Sequence, residues 1–200
     1  GECAFAETLA SKVDLPATLK SIKYGAFSSI KYAENYTFNG EVNYTCVDEN
    51  NNPIWKIVDG VIYTYLPNGN LQLQSYPVYN KRTSYTVIEG TQRIDAYSFY
   101  NTGNIVLEEI FFPYTLESIG DTAFGGCSSI KTYHFASYKA PVLEGTYNPS
   151  LINYLASLQS ITEKADKLYF VTHGTIYNMY YYYYPYYYSN FYDYVGLFEE

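Results

Sequence analysis

Histidine, cysteine and paired carboxylates are the side chains from which most hydrolytic and metal chemistry is built, and this chain uses them sparingly. Its two histidines, His134 and His173, lie far apart, and neither has a Cys, Asp or Glu at a spacing that suggests a triad or a metal motif. Glu108-Glu109 is the one carboxylate pair on an expected strand, and neighbours on a strand point to opposite faces, which denies them a shared acid/base site. Cys3, Cys46 and Cys127 cannot complete a disulfide framework and are expected as free thiols. The expectation is a non-catalytic protein with no cofactor and no metal.

What remains is adhesive chemistry. Tyrosine presents a flat apolar face with a polar tip, and this chain has 28 of them, concentrated in a run from Tyr177 to Tyr194 that only Pro185 interrupts at its densest part. Tyr180, Tyr181, Tyr183, Tyr184 and Tyr187 are therefore candidates for stacking on sugar rings or on a partner protein. Two alternatives stay open: that these rings pack a C-terminal cap, and that they form an association-prone tail.

The elements that would position such residues follow from an internal repeat. Leu15-Pro16-Ala17-Thr18-Leu19-Lys20-Ser21-Ile22-Lys23-Tyr24-Gly25-Ala26-Phe27 returns as Phe112-Pro113-Tyr114-Thr115-Leu116-Glu117-Ser118-Ile119-Gly120-Asp121-Thr122-Ala123-Phe124. A unit of this size cannot bury its apolar side alone and must stack on its neighbours. Phe5, Phe27, Phe99 and Phe124 mark successive turns, with about fifty residues inserted between the second and third. Val13-x-Leu15, Ile110-x-Phe112 and Tyr133-x-Phe135 alternate with period two, as short strands with one buried face do. Aligned on each other, these strands place Asp14, Phe111 and His134 at one outward position, a second candidate binding surface. Within the insertion, residues 54–76 read as a β-hairpin turning at Asn68-Gly69, preceded by an exposed polar connector over 48–53.

Ile119-Gly120-Asp121-Thr122-Ala123-Phe124-Gly125-Gly126-Cys127, with Leu107 to Pro113 before it, resembles the BspA-type leucine-rich repeat family of bacterial surface proteins. The first two copies lack the Gly-Gly-Cys segment, and Tyr97-Ser98-Phe99 replaces Ala-Phe in the third, so tighter or irregular turns are expected there. The resemblance implies a buried place for Cys127, a cap of strand, short helix and aromatic segment after the last repeat, and a role in adhesion and co-aggregation. Leu168 to Val171 is the expected cap strand, and Leu151, Leu155, Leu158 and Ile161 give residues 149–164 a helical spacing.

The fold expected is mainly β with short helices: a leucine-rich-repeat solenoid over 1–139, interrupted by the hairpin and closed by an α+β cap over 140–200. A net charge of −8, with only two arginines, disfavours nucleic acid and anionic membrane as partners. No apolar run approaches the roughly 20 residues that span a bilayer. The chain opens in mid-repeat without Met, which leads us to expect an upstream segment with a signal peptide, Gly1 being a remnant of cloning, and an extracellular or cell-surface location. The function expected is binding of a protein at a cell surface. The alternatives are glycan binding through exposed tyrosines, or a spacer carrying another domain.

Overall fold

Stacked units of this kind should stack one aromatic turn marker per coil and bury the alternating strand residues, and the computed structural model shows both. It describes residues 1–100, 106–127, 129–136, 141–144 and 171–172. Among these, the chain forms short strands and no helix. The expected helix over 149–164 and most of the cap lie outside the described residues.

Coils after the first lay a strand in each of two walls before a tight turn, and the first coil has a strand in the first wall alone. The first wall holds β1 (Val13–Asp14) beside β2 (Tyr36–Thr37), and further along β7 (Ser84–Thr86), β9 (Glu109–Phe112) and β11 (Thr132–Phe135), all pairing parallel with their neighbours. The second wall contains β6 (Leu71–Ser75), β8 (Thr91–Ile94), β10 (Ser118–Ile119), β12 (Val142–Leu143) and β13 (Val171–Thr172), again parallel. Pro113 follows directly on β9 and ends it, because proline brings no N–H to a ladder.

The turns are more regular than the sequence suggests. The residue two places before each marker Phe adopts left-handed backbone in all four copies: Cys3 (φ 50), Gly25 (φ 63), Tyr97 (φ 60) and Thr122 (φ 56). For Cys, Tyr and Thr this costs about 1–2 kcal/mol each. It is offset by coil-to-coil hydrogen bonds that only this turn allows: Phe5 N to Ala26 O at 2.8 Å and Phe99 N to Ala123 O at 2.9 Å. The turn is therefore held by stacking, and Tyr97 in place of the usual small residue does not distort it.

The aromatic ladder has a rung that the Phe spacing hides. Tyr76 stacks on Phe99 at 4.9 Å, as Phe99 does on Phe124, and its N–H reaches Ser98 O at 2.8 Å in the same pattern. Tyr76 is thus the turn marker of the coil that starts with β2, and the extra residues all fall inside that one coil.

Those residues form more than a hairpin. β3 (Tyr44–Val47), β4 (Pro53–Val58), β5 (Val61–Tyr65) and β6 make an antiparallel meander, which joins the parallel wall through β6. The Asn68-Gly69 turn is present, with Leu66 N bonded to Asn70 O at 2.8 Å. A second tight turn sits at Asp59 (φ 48) and Gly60 (φ 76), where consecutive left-handed residues match the twist of the flanking strands.

The meander lies between two cores. Trp55, Ile57 and Ile62 join Leu15, Phe27, Ile30, Tyr36 and Cys46 in one cluster. Val61, Tyr63, Leu71 and Leu73 join Tyr76, Phe99, Ile110, Phe124 and Tyr133 in the other. The insertion therefore contributes heavily to both cores, while β3 keeps Thr45 and Val47 in solvent and the Asp48–Asn52 connector is largely exposed.

Candidate functional site

Period-two alternation in β7, β9 and β11 buries Tyr85, Ile110, Phe112, Tyr133 and Phe135 and turns Thr86, Phe111 and His134 outward. The register sets Thr86 opposite Phe111, and Phe111 opposite His134. The last two stack almost flat, with ring centroids 4.1 Å apart and planes 3° apart. Two residues earlier in register, on the same outward face, Ser84, Glu109 and Thr132 form a polar row. His134 Nε2 is shielded from solvent without a hydrogen bond and lies 4.0 Å from Glu109 Oε1, while Lys131 Nζ donates to Glu108 Oε1 at 2.6 Å. The result is an aromatic pair beside a row of alternating charge. Nothing in it pairs a nucleophile with a base.

Asp14 occupies the equivalent outward position of the first coil but is not brought to this pair. Its strand belongs to the separate β1–β2 sheet, with Thr37 as its register partner. There its carboxylate accepts from Thr37 Oγ1 at 2.8 Å and Gly40 N at 3.2 Å, bonds that hold its pKa below the usual aspartate value. Alignment by repeat position was right locally; the meander breaks the column between the two sheets. Tyr180, Tyr181, Tyr183, Tyr184, Tyr187 and His173 lie outside the described residues.

The second wall carries a polar network that the sequence reading missed. Arg93 on β8 holds Glu144 through Nε at 3.0 Å to both carboxylate oxygens, donates to Gln72 Oε1 at 2.6 Å, and pairs with Asp95. Gln74 in turn donates to Asp95 Oδ2 at 2.6 Å. The only signal in the sequence was alternation of Gln72/Gln74 and Arg93/Asp95; which strands lie side by side was not in it. An open groove of about 400 Å³ runs beside this network, lined by Leu66, Gln92, Arg93, Glu117 and Ser118 among others. Arg93 is already saturated by carboxylates, so the network ties coils together.

Its titration can be checked. The bond from Arg93 holds the Glu144 carboxyl below the ordinary glutamate value, against the opposing effect of partial burial. A depressed folded-state pKa contributes stability above the unfolded-state pKa and loses it as pH falls through the folded value. Stability should therefore fall on acidification below about pH 4, and Glu144→Gln should flatten that limb in denaturation midpoints measured from pH 6 to 3. An unchanged slope would show that Glu144 is not coupled to folding.

Among the described residues no cluster of three His, Cys, Asp or Glu side chains could hold a metal, and no helix is long and apolar enough to cross a membrane. Cys127 is buried, with its thiol directed at Phe99 O at 2.9 Å; Cys46 is buried and Cys3 exposed, all as free thiols.

Residues 1–50 and 66–172 match the profile described as BspA type leucine rich repeat region, in six copies. Curated proteins gave no match. Among solved structures, the chain is similar to a leucine rich cell surface protein of Faecalibacterium prausnitzii A2-165, at 24% identity and a TM-score of 0.56 over 70% of this chain and 34% of that one. A leucine-rich repeat protein of Eubacterium ventriosum ATCC 27560 aligns at 18% identity and a TM-score of 0.48, covering 74% of this chain and 46% of the other. The pneumococcal vaccine antigen PcpA aligns at 19% identity and a TM-score of 0.39, covering 74% and 48%. The chain thus spans less than half the length of each of these proteins.

Proposed function

Because the chain belongs to the BspA-type leucine-rich repeat family, we propose that it is a non-catalytic binding protein, working outside the cell or at its surface, whose first wall contacts a partner protein. One observation carries this reading: Phe111 and His134 stack in register on the outward side of a parallel sheet, beside the Glu109 and Glu108–Lys131 charges. An aromatic anchor with a polar rim is the composition that protein interfaces favour. Asp14 extends the same repeat position at the other sheet, where it adds a charged contact for a partner long enough to reach it. The solved protein that shares the fold over most of this chain is described as a cell surface protein, which supports the proposed location.

The test is to immobilise the protein and pass over it a panel of extracellular matrix proteins and a panel of glycans. Saturable protein binding is expected, weakened about 10-fold or more by Phe111→Ala, with Thr86→Ala within about twofold of the parent. Protein binding that survives both Phe111→Ala and His134→Ala would remove the column from the interface. The tyrosine-rich run supports the glycan reading instead: sugar binding with no protein binding, lost on alanine replacement of Tyr180 to Tyr184, would replace the first proposal.

A further inference from the structure

The loops that follow the turns of two coils, residues 31–35 after Phe27 and 77–82 after Tyr76, meet at a corner that shares no residue with the Phe111–His134 column. The buried Asn80 joins them: its Nδ2 donates to Glu34 O at 2.9 Å and its Oδ1 accepts from Arg82 N at 3.0 Å. Arg82 closes the corner from the other side by donating to Asp59 O at 2.7 Å. The backbone beneath is therefore fixed, and what it carries is set in place before any ligand arrives.

It carries two rings and a cation. Tyr32 is 48% exposed and meets the half-buried Tyr79 edge to face, with centroids 5.9 Å apart at 77°. Lys81 Nζ lies 3.4 Å from the centre of the Tyr79 ring. Lys81 makes no ion pair among the described residues, although the chain carries a net charge of −8 and offers 20 carboxylate side chains. Its ammonium is held by a ring face, which orients it without neutralising it. An exposed aromatic ring, set beside a pre-positioned ammonium with free N–H donors, matches a ring that has an apolar C–H face and a carboxylate on its edge.

We propose that Tyr32, Tyr79 and Lys81 form a binding site for a carboxylated saccharide, with the pyranose ring on Tyr32 and the carboxylate on Lys81. A neutral sugar would gain the stacking alone. A long polyanion would be disfavoured by the chain's net charge of −8, so short acidic oligosaccharides are favoured. Part of the ordering cost is already met by the Asn80 bonds and the Lys81–Tyr79 contact. With three contacting side chains, the dissociation constant should fall at about 1 mM or somewhat below, and it should weaken with salt.

The probes are trigalacturonate, its methyl ester and an oligoglutamate of equal charge, titrated into the full chain and followed by amide chemical shifts. Trigalacturonate is expected to give saturable shifts centred on residues 31–35 and 79–82, with the ester and the peptide each at least about 10-fold weaker. Tyr32→Ala and Lys81→Gln should each weaken binding about fivefold or more at an unchanged thermal midpoint, and Lys81→Arg should retain most of it. No saturable shift by about 10 mM would overturn the proposal, as would ester or peptide binding equal to that of the acid. Binding that both variants retain, or shifts centred elsewhere, would overturn it equally.

Discussion

Gly120→Ala should lower unfolding stability by about 3 kcal/mol, a large loss for one methyl group. A Cβ at Gly120 would lie 2.4 Å from Ala96 N, 2.8 Å from Asp95 C and 2.9 Å from Ala96 Cα, all backbone of the preceding coil. That backbone cannot step aside, because Gly120 N donates to Ile94 O at 2.8 Å and Glu117 N to Gln92 O at 2.8 Å, fixing the spacing between the coils. The requirement at Gly120 is thus close approach of two coils. Two other glycines separate this cause from its rivals. At Gly125 the obstacles are side-chain atoms, Thr122 Cγ2 at 2.7 Å and Tyr100 Cδ2 at 2.9 Å, which can shift, so Gly125→Ala should cost less. At Gly90 there is open space but φ is +85, so Gly90→Ala should cost about 1 kcal/mol from backbone strain alone. Urea midpoints at constant slope measure all three. A cost at Gly120 no greater than at Gly90 would mean that the coils can part.

How far such positions could be read in advance depended on whether the cause was local. The outward pairing of Phe111 with His134 was legible, because Ile110-x-Phe112 and Tyr133-x-Phe135 alternate cleanly and equivalent strands of a solenoid must lie side by side. The strand Ser84–Thr86, which extends that sheet, was not: one buried Tyr85 between exposed polar neighbours carries too little pattern. Tyr76 went unread as a ladder rung because it is Tyr where the other markers are Phe, and Ser75 precedes it where three of the four have Ala, although it falls one repeat length before Phe99. Asn68-Gly69 gave its turn because two residues suffice to specify one. The wider meander did not follow: β3 joins β4 across the polar loop that was read only as a connector, and the pairing of β6 with β8 is decided by contacts between separated segments. The same holds for Arg93, whose partners lie on β6 and just past the ends of β8 and β12, and for the break that separates Asp14 from Phe111.

Trp55→Ala should cost about 3–5 kcal/mol and unfold one half of the solenoid before the other. Trp55 is fully buried in the first cluster, and its Nε1 donates to Leu19 O at 2.9 Å. Its removal leaves a cavity and takes the donor from a backbone carbonyl, and the two losses act together. The coils up to β5 share this cluster, whereas Phe99, Ile110, Phe124 and Tyr133 pack in the second. The two clusters meet at β5, where Ile62 faces one and Val61 and Tyr63 the other, and a few polar links such as the Tyr36 and Ser75 hydroxyls at 2.9 Å also cross between the two sides. Stability in stacked coils is close to a sum of nearest-neighbour terms, so damage on one side of this strand should stay largely there. Hydrogen exchange on Trp55→Ala is expected to show protection lost over residues 13–62 and mostly kept over 85–135, with Phe124→Ala showing the reverse. Equal loss on both sides in either variant would mean that the meander welds the clusters into a single cooperative core, and that β5 transmits the full cost of a cavity from one to the other.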